Sequence, residues 1–181
     1  MSNNSMNFTG KSTLTDAEFS QYYEQLWEKT PHRNKWPSEQ EIAERKREGA
    51  KRYNSEEASL PGEEWRMLPN DEHYFISTMG RVKYDNAIVQ QDDAEKHGYL
   101  KLDVEKKLNV DHYVNVYTLV AKAFLGKKEG DGYDVHHIDN NGYDNRPENL
   151  ILLTRTQHNA VHRDEKMSQE GLKAFFEQTE L

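Results

Sequence analysis

Four of the chain's eight histidines, His136, His137, His158 and His162, fall between Val135 and His162. Imidazole titrates near neutrality and is the side chain most often used to hold transition metals. His158 and His162 are four residues apart, so on a helix both rings project from one face about one turn apart, which is a chelating spacing. Thr154 followed by Gln157 is a capping-box pattern that starts such a helix at Arg155. Ahead of it, Val135 to Ile138 and Leu150 to Leu153 are apolar runs of strand length, and the DNNGYDN between them is turn chemistry. The reading is a hairpin with a long polar loop, followed by a helix. If the first strand packs on the histidine face of that helix, His136 supplies a third nitrogen. His137, one residue on, then points to the other side of the strand. Any one of these histidines alone would be read as incidental, and a purely structural Zn²⁺ site is the sharpest competing reading of the set.

The remaining composition narrows the chemistry. The chain has no cysteine, which removes disulfides, thiol catalysis and Cys-based zinc sites, so a metal must be held by His, Asp, Glu or Asn. At 181 residues, with 31% charged residues and a mean hydropathy of -1.09, it has the size of one domain or two small ones. No apolar run reaches spanning length and the first 15 residues lack a secretory apolar stretch, so a cytoplasmic location is expected. The net charge of -8 argues against a surface uniformly suited to phosphate, leaving that task to local patches.

These histidines must be positioned by the rest of the chain, for which the pattern predicts an α+β fold. Residues 1–62 read as a charged helical N-terminal extension. One helix starts at a Thr15/Glu18 cap and carries Phe19, Tyr22, Tyr23, Leu26 and Trp27. A second, Ser38-capped and rich in Arg and Lys, runs to about Tyr53 as a solvated helix. SEEASLPGEE reads as a linker. Residues 63–110 read as a small antiparallel β module interrupted at Gly80, Asp85-Asn86 and Gly98. Residues 111–165 hold the helix VYTLVAKAF, stopped by Gly126, and the hairpin-helix unit; residues 166–181 hold a C-terminal helix using Leu172, Phe175 and Phe176.

The run VHHIDNN…DNRPENLILLTRTQHNAVH resembles the HNH nuclease motif, the ββα-metal fold, in the form found in colicin-type DNases. EEWRMLPNDEHYFISTMGRVKYD resembles the short module that often precedes this unit in phage homing endonucleases, and YVNVYTLVAKAFLG is similar to their connecting helix. The resemblance covers about residues 63 to 162. It implies a metal-dependent DNA endonuclease, phage or mobile-element encoded and working in an infected bacterial host, that nicks or cuts double-stranded DNA. It assigns His137 as the general base, His136, His158 and His162 as metal ligands, and Asn149 as the residue that ties the loop and helps orient the base. The family implies Mg²⁺ or Mn²⁺, whereas an all-imidazole set suits Zn²⁺, Ni²⁺ or Co²⁺ on softness grounds. Many phage homing enzymes carry Asp or Asn at the first ligand position and Asn at the later one, so the imidazoles here are a departure.

Asp139, Asp144 and Asn145 are read as turn residues rather than ligands, and His32, His73, His97 and His112 as incidental. Candidate DNA contacts are Arg66, Arg81 and Lys83 in the β module and Arg146, Arg155 and Arg163 around the hairpin and helix. Trp65, Phe75 and Tyr99 are expected to pack on an apolar face. Only one helix's length follows His162, so recognition of a long DNA site would need residues 1–60. The competing functions are a non-catalytic DNA-binding protein using the ββα unit as scaffold, and an interaction protein engaging a partner through residues 1–62.

Overall fold

The computed structural model describes residues 13–29, 38–93, 98–103, 113–163 and 165–179. The first dozen residues, Pro31, Pro37, His32, His97 and His112 lie outside them. Among the described residues, five α-helices and eight strands follow one another in an α+β arrangement. Helix α1 (Asp16–Lys29) buries Phe19, Tyr22, Tyr23, Leu26 and Trp27, and its start is tied reciprocally by Thr15 and Glu18. Helix α2 (Glu39–Tyr53) has a full capping box between Ser38 and Glu41.

Strands β1 (Trp65–Leu68), β2 (Asp71–Ser77), β3 (Val82–Tyr84) and β4 (Ala87–Val89) form an antiparallel meander. The β3–β4 turn is made by Asp85 and Asn86, both at positive φ, the conformation a two-residue hairpin of matching twist needs. Strands β5 (Lys101–Asp103) and β6 (Tyr113–Asn115) pair separately. Helix α3 (Val116–Val120) runs on into a π-helical turn, Ala121–Leu125, and ends at Gly126 with φ 73°. Strands β7 (Tyr133–His137) and β8 (Leu150–Thr154) form the hairpin, followed by α4 (Arg155–Val161) and α5 (Gln169–Thr179).

Strand β8 divides two cores. Leu150 belongs to one, with Tyr53, Tyr74, Ile76, Val82, Leu100, Val116, Val120 and Tyr143. Ile151 and Leu153 belong to the other, with the aromatic face of α1, Ala160 and Val161 of α4, and Leu172 of α5. The division follows from the two-residue period of a strand buried on both faces. Helices α1, α4 and α5 thus close over one side of the hairpin, and α2 with the β module over the other.

The segment expected as a linker is fixed instead. Arg81 is fully buried and donates from Nη1 to Glu63 Oε2 at 2.7 Å and from Nη2 to the carbonyls of Ser55 (2.9 Å) and Glu57. A buried guanidinium costs free energy unless its donors meet acceptors, and residues 55–63 supply them to both Nη groups. Arg81 is therefore unavailable to DNA, which corrects the expectation drawn from its place beside the strands. Tyr99 departs in the opposite sense: it is 42% exposed rather than packed on an apolar face.

Candidate metal centre and its histidine neighbour

The β7–β8 register sets the two adjacent histidines on opposite sides. His136 lies opposite Ile151 and His137 opposite Leu150, and directly paired residues of an antiparallel ladder share a face. Ile151 faces the core that contains α4, and Leu150 faces the core of the β module. His136 therefore meets the helix, and His137 meets the loop and the aromatic rings beyond it.

Helix α4 begins as its sequence requires, with Thr154 Oγ1 accepting from Gln157 N and Gln157 Oε1 accepting from Thr154 N. That start aims His158 back at β7, and His162 caps the helix at its far end. Ring centroids are 5.5 Å apart for His136 and His158, 5.1 Å for His136 and His162, and 4.7 Å for His158 and His162. One nitrogen from each ring lies within 4.8 Å of the others. Nitrogens bound to one cation at about 2.1 Å cannot be more than about 4.2 Å apart, so the trio needs only a small contraction to close on a metal. Three imidazoles at these distances fit a divalent cation of intermediate softness.

Asp134 adds a feature the sequence reading missed. Two residues before His136 and on the same strand face, its Oδ1 lies 3.0 Å from Arg155 Nη2, while its buried Oδ2 stands 3.4 Å from His158 Nδ1 without a hydrogen bond to it. A carboxylate behind a ligating imidazole fixes the ring's orientation and tautomer. The i, i+2 alternation with His136 is the sequence signal that could have found it.

On the other side of β7, His137 is 5% exposed, and its Nε2 lies 2.9 Å from Asn145 Oδ1. An amide oxygen only accepts, so Nε2 carries the proton and Nδ1 of the neutral ring keeps its lone pair. Burial pushes the His137 pKa down, against the opposing effects of the Asn145 bond and the Asp139 and Asp144 charges. Burial thus favours the neutral ring. Tyr99 and Tyr117 stand 5.8 and 5.5 Å from it, centroid to centroid. Gly142 lets the loop come this close: a Cβ there would sit 2.0 Å from Gly98 O and 2.7 Å from the Tyr99 ring. A cavity of about 170 Å³ is lined jointly by His136, His158 and His162 and by His137, Asn140, Tyr99 and Tyr117.

Asn149 bonds across the loop. Its Nδ2 donates to Asp144 O and Asp139 Oδ1, both at 2.8 Å, and its Oδ1 accepts from Asp139 N. The side chain bonded to His137 is Asn145, which the sequence reading left among the turn residues. Asp144 holds Arg52 and Arg146, and Asp139 holds Asn141 N and Asn149. Among the other cationic candidates, Arg155 stands beside the histidine trio and Arg146 pairs with Asp144 and Glu148. Arg66 lies over Phe124, Lys83 over Trp65, and Arg163 over Phe175. His73, away from the site, pairs with Asp85 at 2.6 Å.

Residues 116–160 match the HNH endonuclease family. The matched segment holds His136, His137, Asn145, Asn149 and His158 and stops two residues short of His162. An uncharacterised HNH endonuclease of Acanthamoeba polyphaga mimivirus is 28% identical over 103 residues, which is 55% of this chain and 26% of that protein; the chain thus spans about a quarter of the relative's length. The solved structure of the HNH homing endonuclease I-HmuI, described for DNA binding and cleavage, aligns with a TM-score of 0.46 and 23% identity over 64% of this chain and 68% of that one. The matched segment falls on the hairpin and helix that gather the histidines, and over residues 116–160 the chain is similar to the HNH endonuclease family.

Proposed function

We propose that the chain is a metal-dependent DNA endonuclease that hydrolyses phosphodiester bonds in double-stranded DNA. The observation that carries the proposal is a cavity lined on one side by three convergent imidazoles and on the other by the buried His137 imidazole, bonded to Asn145. A metal scaffold alone would need the trio but not His137.

In this reading His136, His158 and His162 hold one divalent cation. When bound, that ion would act as a Lewis acid on the phosphate and its leaving oxygen. His137, with its proton kept on Nε2 by Asn145, accepts a proton from the attacking water at Nδ1. Asn149 keeps the loop closed through Asp139 and Asp144 O. Asp134 orients His158. Arg155, Arg163, Arg146, Arg66 and Lys83 are the cations offered to the phosphate backbone, with Arg81 withdrawn from that set. The all-nitrogen donors favour Zn²⁺, Ni²⁺ or Co²⁺, while the family's habit favours Mg²⁺ or Mn²⁺. A phage or mobile-element origin and an intracellular setting complete the proposal; no described helix is long and apolar enough to cross a membrane.

The test is conversion of supercoiled plasmid to nicked or linear forms by the purified chain with Mg²⁺, Mn²⁺, Ni²⁺, Co²⁺ and Zn²⁺ in turn. Cleavage abolished by EDTA is expected. Folded protein that binds a metal and DNA yet cuts with none of the five ions would leave only the scaffold reading standing.

A further inference from the structure

Helix α2 lies on the loop that carries Asn145. Arg45 Nη1 donates to Asn140 O at 3.2 Å, and Arg52 Nη2 reaches Asp144 Oδ1 at 3.2 Å and Tyr143 O at 3.5 Å. Between them Gly49 is buried, and a Cβ added there would meet Tyr53 Cε1 at 2.7 Å and Tyr143 O at 3.5 Å. Tyr53 and Tyr143 share one core, and Tyr143 Oη donates to Asp93 Oδ2 at 2.7 Å. On the opposite side of Asn145, Gly80 comes so near that a Cβ would sit 3.1 Å from its backbone. Gly80 O in turn accepts from Gln91 Nε2, and Gln91 N donates to Asn54 Oδ1 just past the end of α2. Asn145 is 1% exposed and enclosed by these contacts.

We propose that α2 is a clamp on the loop 139–146, and that Arg52, by holding Asp144 and Tyr143, is a positioning residue for Asn145 and through it for the His137 ring. The inference rests on the reading of His137 as the base. The loop's internal bonds, from Asn141 N and Asn149 to Asp139, from Tyr143 N to Asn141 and from Arg146 to Asp144, join it to itself and to the hairpin, whereas Arg45 and Arg52 join it to α2. Loop residues are turn formers, Asp144 and Asn145 are consecutive, and a rotation of this dipeptide that released Asp144 would withdraw the Asn145 amide from His137. Burial raises the Asp144 carboxyl pKa, but the Arg146 bond and the Arg52 and Arg146 charges outweigh it and keep the group ionised for the clamp. Arg146 comes from the same loop, so it cannot anchor that loop to the body of the protein; Arg52 and Arg45 can. The charged second helix, which its composition marks as a solvated surface, thereby acquires a function on its inner side.

The experiment compares the full chain with Arg52→Ala, Arg52→Lys and Arg45→Ala. It measures the ¹⁵N signals of the His137 ring alongside kcat and KM for plasmid nicking. The clamp predicts that Arg52→Ala moves or broadens the His137 ring signals and lowers kcat by about tenfold at unchanged KM, with partial recovery in Arg52→Lys. Unchanged ring signals and kcat, with only a lower melting temperature, would overturn it, since a merely structural role moves stability alone. Should Arg52→Ala fail to fold, Arg45→Ala is read by the same two signals and decides in the same way. If the wild-type chain itself does not cut, the nuclease reading fails, while the ring signals still decide whether α2 positions His137.

Discussion

The two faces of β7 solve different problems. On the α4 side, Asp134 and His136 meet His158 and His162, and every partner comes from a single stretch of about thirty residues with regular geometry. On the loop side, His137 meets Asn145, whose loop is met by α2 at Asp144, by the β2–β3 turn at Asn145 and by Gly98 and Tyr99 at Gly142, segments far apart in sequence. A metal site needs several donors at similar distances, which a strand and a helix with a capped start provide. A base needs one ring, buried and neutral, with a fixed tautomer, and this requires enclosure by distant parts of the chain.

The comparison breaks most directly if the two adjacent histidines are exchanged for alanine one at a time. His137→Ala is expected to lower cleavage by about 10²- to 10⁴-fold while metal binding, followed by calorimetry, stays unchanged. His136→Ala is expected to lose metal binding as well. Equal effects of both variants on metal affinity would show that the faces are not separate.

The next effect concerns the β module that backs the loop side. Arg81→Met leaves Glu63 charged and buried without its partner, and should cost about 3–5 kcal/mol in urea unfolding. DNA affinity of the folded fraction should be unaltered, because Arg81 reaches no surface.

On the metal side, Asp134→Asn keeps the shape but weakens the carboxylate's hold on His158. Metal affinity should fall by about 10- to 100-fold, read by calorimetry without DNA.

The smallest effect is one of pH. The folded-state pKa of His137 is depressed below the ordinary value of about 6.5, so above that value the ring is neutral in both folded and unfolded chains. As pH falls below about 6.5, the unfolded chain takes up this proton first, and stability declines until the folded value is passed. The metal-free melting temperature should therefore fall with acidification, and less steeply in His137→Gln. An identical slope in the two proteins would count against the burial of this ring as the cause.

The opposite faces of His136 and His137 were legible because a strand alternates with period two and a helix repeats every three to four residues, so local spacing dictates which side chains share a face. Thr154 and Gln157 likewise start α4 where their types require. By the same rule Asp134 was within reach. Asn145, Arg81 and Tyr99 were not. As residue types, Asn145 reads as a turn former, Arg81 as a surface cation and Tyr99 as a packing ring. What each does depends on contacts outside its own turn or strand, 8 residues away for Asn145, 18 for Arg81 and 38 for Tyr99, made only when the two cores close around β8. Local periodicity determines which face a side chain takes, and long-range packing alone decides what waits for it there.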